Sequence, residues 1–291
     1  MIVGLAAMIG PALDLICQIV AAGIGGVQIN RLETHVVAGR TLIRKRRTQS
    51  SGLLIALGNF VFRFRQPLVR VLPTDEWIEW ERIVGLATRC RAHDDDCLVG
   101  SGLVSEKIPG EPLTKLLQTL DADYVQKRAW VKTAACALQE FHRQTFLAAN
   151  QTEIQLSHAD ATITNVLIDC STGQATWFDF DLRHDLDAAA SDRQADDLRA
   201  LLFSTVACCE WGSIEDLVSA VREGYENSRV WNTLTEQVSR TQFRYDLLHL
   251  AQLKRAQGAC SKKILSRQIL ELKMLLAASR TMAERDPSAY R

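Results

Sequence analysis

The sequence predicts an α+β fold of two lobes, a small β-rich N-terminal lobe and a mainly helical C-terminal one, and three observations carry this. Within residues 22–45 the stretches VQINRLETHVV and TLIRK flank AGR and read as strand, turn, strand. Further on, VLID and ATWFDFD surround the turn residues CSTGQ, which reads as a hairpin. From Leu113 to Ala149, and in several stretches of 213–286, the pattern is helical. A length of 291 residues accommodates two modest lobes, and 47% hydrophobic with 23% charged residues is an ordinary globular composition that can bury a core.

The chain opens on residues 1–26, almost wholly apolar and long enough to suggest a membrane span. Asp14 near mid-bilayer would cost about 2.5–3.5 kcal/mol, Pro11 and five glycines weaken the helix, and no basic stretch of a signal peptide is present. Residues 1–21 are therefore set apart as an apolar segment, either a membrane element or part of the fold. Residues 22–108 are assigned to the small lobe and 109–291 to the large one. In the small lobe, 52–72 is apolar and aromatic with interspersed arginines, open between helix and strand. LPTDEWIEWERIVGLATR is a helix with Thr74 or Asp75 at its N-cap and Trp77, Trp80, Ile83, Val84 and Ala87 along an inward stripe. RAHDDDC reads as a solvated loop, and CLVGSGLVSEKIPGEPLTKLL as two short strands before a helix.

Charge excludes some functions. With 34 basic and 34 acidic residues the balance is zero, so no global field recruits nucleic acid or an anionic membrane. Eight cysteines, Cys17, Cys90, Cys97, Cys136, Cys170, Cys208, Cys209 and Cys260, show no CxxC and no His at metal-ligand spacing. That suits reduced thiols in a cytoplasmic protein better than disulfides or zinc.

The chemistry concentrates in LSHADATITNVLIDCSTGQATWFDFD, residues 156–181. Asn165 lies five residues after Asp160 and Asp179 nineteen after it, with the hairpin between Asn165 and Asp179 returning the chain to its start. Phosphoryl transfer needs a carboxylate to orient and deprotonate the attacking hydroxyl, close to an amide and a second carboxylate that hold Mg²⁺ on the nucleotide phosphates.

HADATITN with DFD resembles the catalytic and metal-binding loops of the protein-kinase-like superfamily, nearest its bacterial aminoglycoside-phosphotransferase-like and lipopolysaccharide-kinase-like branch. The resemblance implies ATP and Mg²⁺ as cofactors. It makes Asp160 the catalytic Asp, His158 the loop-bracing His, and Asn165 and Asp179, with Asp181 of the same DFD, the metal ligands. Ala159 stands where protein kinases carry Arg and many small-molecule kinases Gly.

The same resemblance extends upstream. Gly23, Gly25 and Gly26 are placed as a phosphate-approaching turn, though GIGG is not a full GxGxxG. Lys45 becomes the phosphate-pairing lysine, against the reading of RKRR as a solvated edge or polybasic patch. Glu76, Glu79 and Glu81 compete as its partner, and Glu81, beside the apolar stripe, is preferred. Glu106 to Ile108 fall at the hinge, whose backbone would face adenine. His142 reads as a packing residue, Asp197 resembles the Asp that braces the catalytic loop, and Arg183 with His184 either meet an anionic acceptor or cap a turn.

Asp179 and Asp196 are seventeen residues apart, which leaves no room for the long activation segment of a peptide-directed kinase. The expected activity is therefore ATP-dependent phosphate transfer to a hydroxyl of a small molecule or lipid-linked sugar. Peripheral membrane contact through the N-terminal segment would accompany the sugar-lipid case. A compact atypical Ser/Thr protein kinase and a nucleotide-binding pseudokinase or scaffold are the alternatives.

Overall fold

The computed structural model describes residues 30–48, 51–65, 68–87, 102–119, 121–148, 151–240, 247–258 and 260–285. The N-terminal apolar segment, the candidate turn Gly23, Gly25 and Gly26, and the acidic stretch RAHDDDC lie outside them. Among the described residues no helix is long and apolar enough to cross a membrane.

The first part is strand-rich. β1 (Asn30–Val37) and β2 (Arg40–Arg47) form an antiparallel hairpin, and β4 (Leu103–Glu106) pairs with the other edge of β2. The two-residue turn holds Ala38 and Gly39 at φ 50° and 78°; both central residues of a type I′ turn need such values, and the turn matches the twist of the strands. Alternation along β2 sends Lys45 and Arg47 to one face, over the Trp77 ring at 5.2 and 4.6 Å, and Arg46 to the other. RKRR is thus not a surface patch: Arg44 is buried and Lys45 and Arg47 point inward.

The ambiguous 52–72 stretch divides into helix α1 (Ser51–Arg65) and β3 (Val69–Val71), which pairs with β10 (Leu182–His184). Helix α2 (Thr74–Ala87) buries Trp77, Trp80 and Val84 at spacings of three and four.

The rest is mainly helical. After β5 (Glu111–Pro112) and α3 (Leu113–Gln118), helix α4 (Tyr124–Arg143) starts at Asp123, whose carboxylate caps the Gln126 N–H while the Gln126 side chain returns to the Asp123 N–H. It ends at Arg143, and β6 (Thr145–Leu147) pairs with β7 (Glu153–Gln155), so the helix expected up to Ala149 is shorter. Gln144 adopts an extended conformation, and the β-branched and aromatic pair Thr145–Phe146 suits a strand better than another helical turn.

Then come a 3₁₀ turn (Ile163–Asn165), the hairpin β8 (Val166–Asp169) and β9 (Gln174–Trp177), and helices α5 (Ala190–Cys208), α6 (Ile214–Gly224), α7 (Ser228–Arg240), α8 (Leu247–Ala256) and α9 (Lys262–Arg285). α5 is buried on all sides from Arg193 to Cys208, so its charges must be paired; Arg199 donates to Asp196 at 2.8 Å. One cluster of buried apolar side chains runs from Leu72 and Trp77 through α4 and α5 to Leu276. The expected α+β class, strand-rich first and helical after, is the one observed.

Candidate active site

The site is assembled from β2, α2, the loop before the 3₁₀ turn, the strand-end DFD and, unexpectedly, α8. The loop is shaped by Asp197 of α5, a residue with no solvent exposure. Its Oδ2 accepts from His158 N at 2.7 Å and from His142 Nε2 at 2.9 Å, and its Oδ1 accepts from Ala159 N at 2.8 Å. Burial works upward on its pKa, yet His184 and the hydrogen bond from His142 hold the carboxyl below its ordinary value. His142 is accordingly more than a packing residue: burial lowers its pKa and keeps it neutral, with Nδ1 accepting from the Tyr225 hydroxyl at 2.7 Å. The double anchor supports Ala159 at φ 66°, a left-handed conformation that costs an alanine about 1–2 kcal/mol.

His158 is fully buried against Phe180, Trp177 and Phe141. Its Nε2 lies 3.0 Å from the Phe178 carbonyl and its Nδ1 3.3 Å from Asp160 N, which assigns the proton to Nε2 and ties the Asp160 loop to the DFD strand. Asn165 Nδ2 donates to the Asp160 carbonyl and to its Oδ2, both at 2.9 Å. That orientation leaves Asn165 Oδ1 as an acceptor, and the Thr164 hydroxyl donates to it at 3.2 Å.

Lys45 lies among three carboxylates. Its Nζ is 2.9 Å from Glu81 Oε1, 2.9 Å from Asp181 Oδ1, and bonded to Asp179 Oδ1. Of the three glutamates on α2 it is Glu81 that reaches the lysine; Glu76 instead pairs with Arg70 and Arg183 at the surface. Glu81 Oε1 also accepts from Trp77 Nε1 at 3.1 Å and from Phe180 N at 3.2 Å, so helix, strand and DFD share one carboxylate. Burial lowers the Lys45 pKa, but Asp179, Asp181 and Glu81 outweigh it and raise it well above the usual value. Asp179, at φ 69°, is held low against its own burial by Lys45. Asp181 is pushed up to about 6, by burial first and, against Lys45, by Asp179.

Glu106 sits at the exposed end of β4 with Arg40 at 3.2 Å, and Ile108 follows half-buried. Arg183 and His184 separate: His184 is buried against Asp196 at 3.3 Å, whereas Arg183 stacks over Trp80 and lines a cleft of about 410 Å³ with Val69, Arg70, Asp185, Leu186 and Asp187. Val69 of that cleft packs on Ala159, next to Asp160.

Sequence reasoning missed Gln252 and Arg255 of α8. Gln252 Nε2 donates to Asp160 Oδ1 at 2.8 Å, and Arg255 Nη2 lies 2.7 and 2.6 Å from the two carboxylate oxygens. No local signal marks them, since a glutamine and an arginine on a late helix look like solvated residues. Arg47, read as one charge in a basic run, is also drawn in: its Nη2 donates to the Leu72 carbonyl at 3.1 Å and lies 3.8 Å from Asp181.

No protein-family model matches the chain, and no curated protein matches it. Among solved structures, WaaP in complex with acyl carrier protein is similar at 16% identity and a TM-score of 0.42, over 79% of this chain and 86% of that one. An ethanolamine kinase from Plasmodium vivax is similar at 10% identity and a TM-score of 0.36, over 82% and 84%.

The donor set suits a hard divalent cation. Glu81, Asp179 and Asp181 present carboxylate oxygens within 4.8 Å of one another. Lys45 and Arg47 supply fewer positive charges than these three acids require. Asp181 Oδ1 is buried and, though near Lys45 Nζ, is out of line for a hydrogen bond. Oxygen-only, carboxylate-rich sites of this kind fit magnesium, with waters and phosphates completing the shell.

Proposed function

We propose that the protein is an ATP-dependent phosphotransferase acting on a hydroxyl of a small molecule or lipid-linked sugar. The observation that carries this is the convergence of Lys45, Glu81 and Asp179 on one point while Asp160 and Asn165 face each other on the adjoining loop. An arrangement with a cation for phosphates, carboxylates for a metal and a separate carboxylate for the nucleophile has the parts that phosphoryl transfer requires.

In this reading Asp179 and Asp181, with Oδ1 of Asn165, would hold magnesium, whose chemistry is to neutralise charge on the phosphates and the leaving group. Glu81, already bonded by Trp77, Phe180 and Lys45, acts as the anchor that aims the lysine at the phosphates. Asp160 orients the acceptor hydroxyl and takes its proton. As that O–H bond breaks, the oxygen's electron pair forms the new bond to the γ-phosphorus, and the pair of the broken P–O bond leaves on ADP. The cleft lined by Arg70, Arg183, Asp185 and Asp187 offers both donors and acceptors to a hydroxylated acceptor approaching Asp160.

The test pairs two variants of the full chain. Asp179→Ala should abolish MgATP binding. Asp160→Asn should still bind a fluorescent ATP analogue while turnover, read as ADP release with pooled cell metabolites as acceptors, falls about 10²–10⁴-fold. Wild type that binds MgATP but transfers to no acceptor, water included, would assign the chain to the pseudokinase class instead.

A further inference from the structure

Asp160 is more fully engaged than a waiting base should be. Gln252 and Arg255 each donate to Oδ1, and Arg255 and Asn165 each donate to Oδ2. A carboxylate has about four lone-pair directions, and these four hydrogen bonds take them all. An acceptor hydroxyl can reach the carboxylate only by displacing a donor.

The three donors differ in freedom. Gln252 and Asn165 are 2% and 4% exposed and fixed in the interior, whereas the Arg255 side chain is 37% exposed. Arg255 engages Asp160 through Nη2; Nη1 and Nε have no partner among the described residues. It is the donor that can move.

Charge gives the move a destination. The loop HADATITN contains no Lys or Arg, so its own residues bring no positive charge to a transferring phosphoryl group. Lys45 serves the β2 side of the site; on the α8 side, Arg255 is influenced by Asp160 above all and also by Asp179 and Asp181. The guanidinium therefore lies within electrostatic reach of both the base and the metal-loop acids. A planar fork of N–H donors matches phosphoryl oxygens in a way an ammonium does not.

Resting on the phosphotransferase reading above, we propose that Arg255 is a catalytic residue of the transfer: on entry of MgATP and acceptor it turns from Asp160 onto the oxygens of the transferring phosphoryl group. One motion then frees a lone pair on the base for the acceptor proton and supplies the positive charge that the loop lacks. Bond making and breaking are as written above; Arg255 gains and loses no proton. Arginines supplied to transferring phosphoryl groups elsewhere contribute about 10³–10⁵ in kcat.

The experiment uses the full chain, magnesium, radiolabelled ATP and single-turnover conditions, with Arg255→Ala, Arg255→Lys, Asp160→Asn and the Arg255→Ala/Asp160→Asn pair. Arg255→Ala should lose about 10³-fold in rate with MgATP affinity changed less than about tenfold, and millimolar guanidinium should restore part of the rate where methylammonium does not. Arg255→Lys should remain strongly impaired, and it keeps the test open if the alanine variant does not fold. In the Asp160→Asn background, removing Arg255 should cost at least a further tenfold or so, because the guanidinium acts on the phosphoryl group as well as on the base. No further loss in that background would make Arg255 a mere holder of Asp160 and overturn the proposal, as would full activity of Arg255→Lys. Wild type without any transfer would defeat the phosphotransferase reading itself, an outcome distinct from an active wild type indifferent to Arg255.

Discussion

Replacing Asp181 by Asn tests whether the acidic cluster is assembled at an electrostatic cost that a cation relieves. Burial first and then, against Lys45, the nearby Asp179 push the Asp181 carboxyl to about 6, while in an unfolded chain it ionises near 3.8. Between about pH 4 and 6 the folded protein thus binds a proton that the unfolded chain has lost. Stability falls as pH rises through that window and stays lower above it. The gap is equivalent to about 2–3 kcal/mol at neutral pH. Asn keeps the shape and an oxygen to accept from Asn30 Nδ2, so Asp181→Asn should gain about 2 kcal/mol at pH 7.5 without metal, the advantage closing towards pH 4. Magnesium should reverse the order: wild type gains about 2.7 kcal/mol at a hundredfold excess over Kd, and the variant gains little. Urea unfolding followed by tryptophan fluorescence, at four pH values with and without magnesium, reads both effects. A variant less stable than wild type at pH 7.5 in metal-free buffer would refute the reasoning, because the pairing with Lys45 and Arg47 would then outweigh the crowding.

Lys45→Met should abolish turnover and cost about 3 kcal/mol of stability, because it leaves a buried acid cluster uncompensated. Arg46→Met, on the opposite face of β2, should change neither, and equal losses in both variants would return RKRR to a general electrostatic role. Gly224→Ala, whose new Cβ would run into the Lys132 carbonyl and lie 2.9 Å from Ala135 Cβ, should destabilise by about 1–3 kcal/mol in the same urea assay; a neutral result would mean that α4 and α6 pack less closely than described.

What the sequence by itself determined is local. The β8–β9 hairpin follows from two apolar runs around CSTGQ, and α2 from Thr74, Asp75 and a stripe of tryptophans. The spacing of Asp160, Asn165 and Asp179 lies within one short stretch of chain, so period and turn chemistry suffice to read it. Where local signals compete, reading by pattern fails: helical periodicity runs past Arg143 into a segment that β7 captures as a strand partner, and RKRR has no direction until β2 acquires a register.

The tertiary structure alone decided which charges meet. Glu81 rather than Glu76 or Glu79 reaches Lys45 because α2 lies against β2 with Trp77 inward. Asp197 shapes a loop 38 and 39 residues away, and Gln252 and Arg255 reach Asp160 across 92 and 95 residues. Such contacts depend on the packing of α5 and α8 beneath the loop that carries Asp160. An isolated Asp or Arg carries no local mark of its partner, because its charge is solvated until burial makes pairing obligatory.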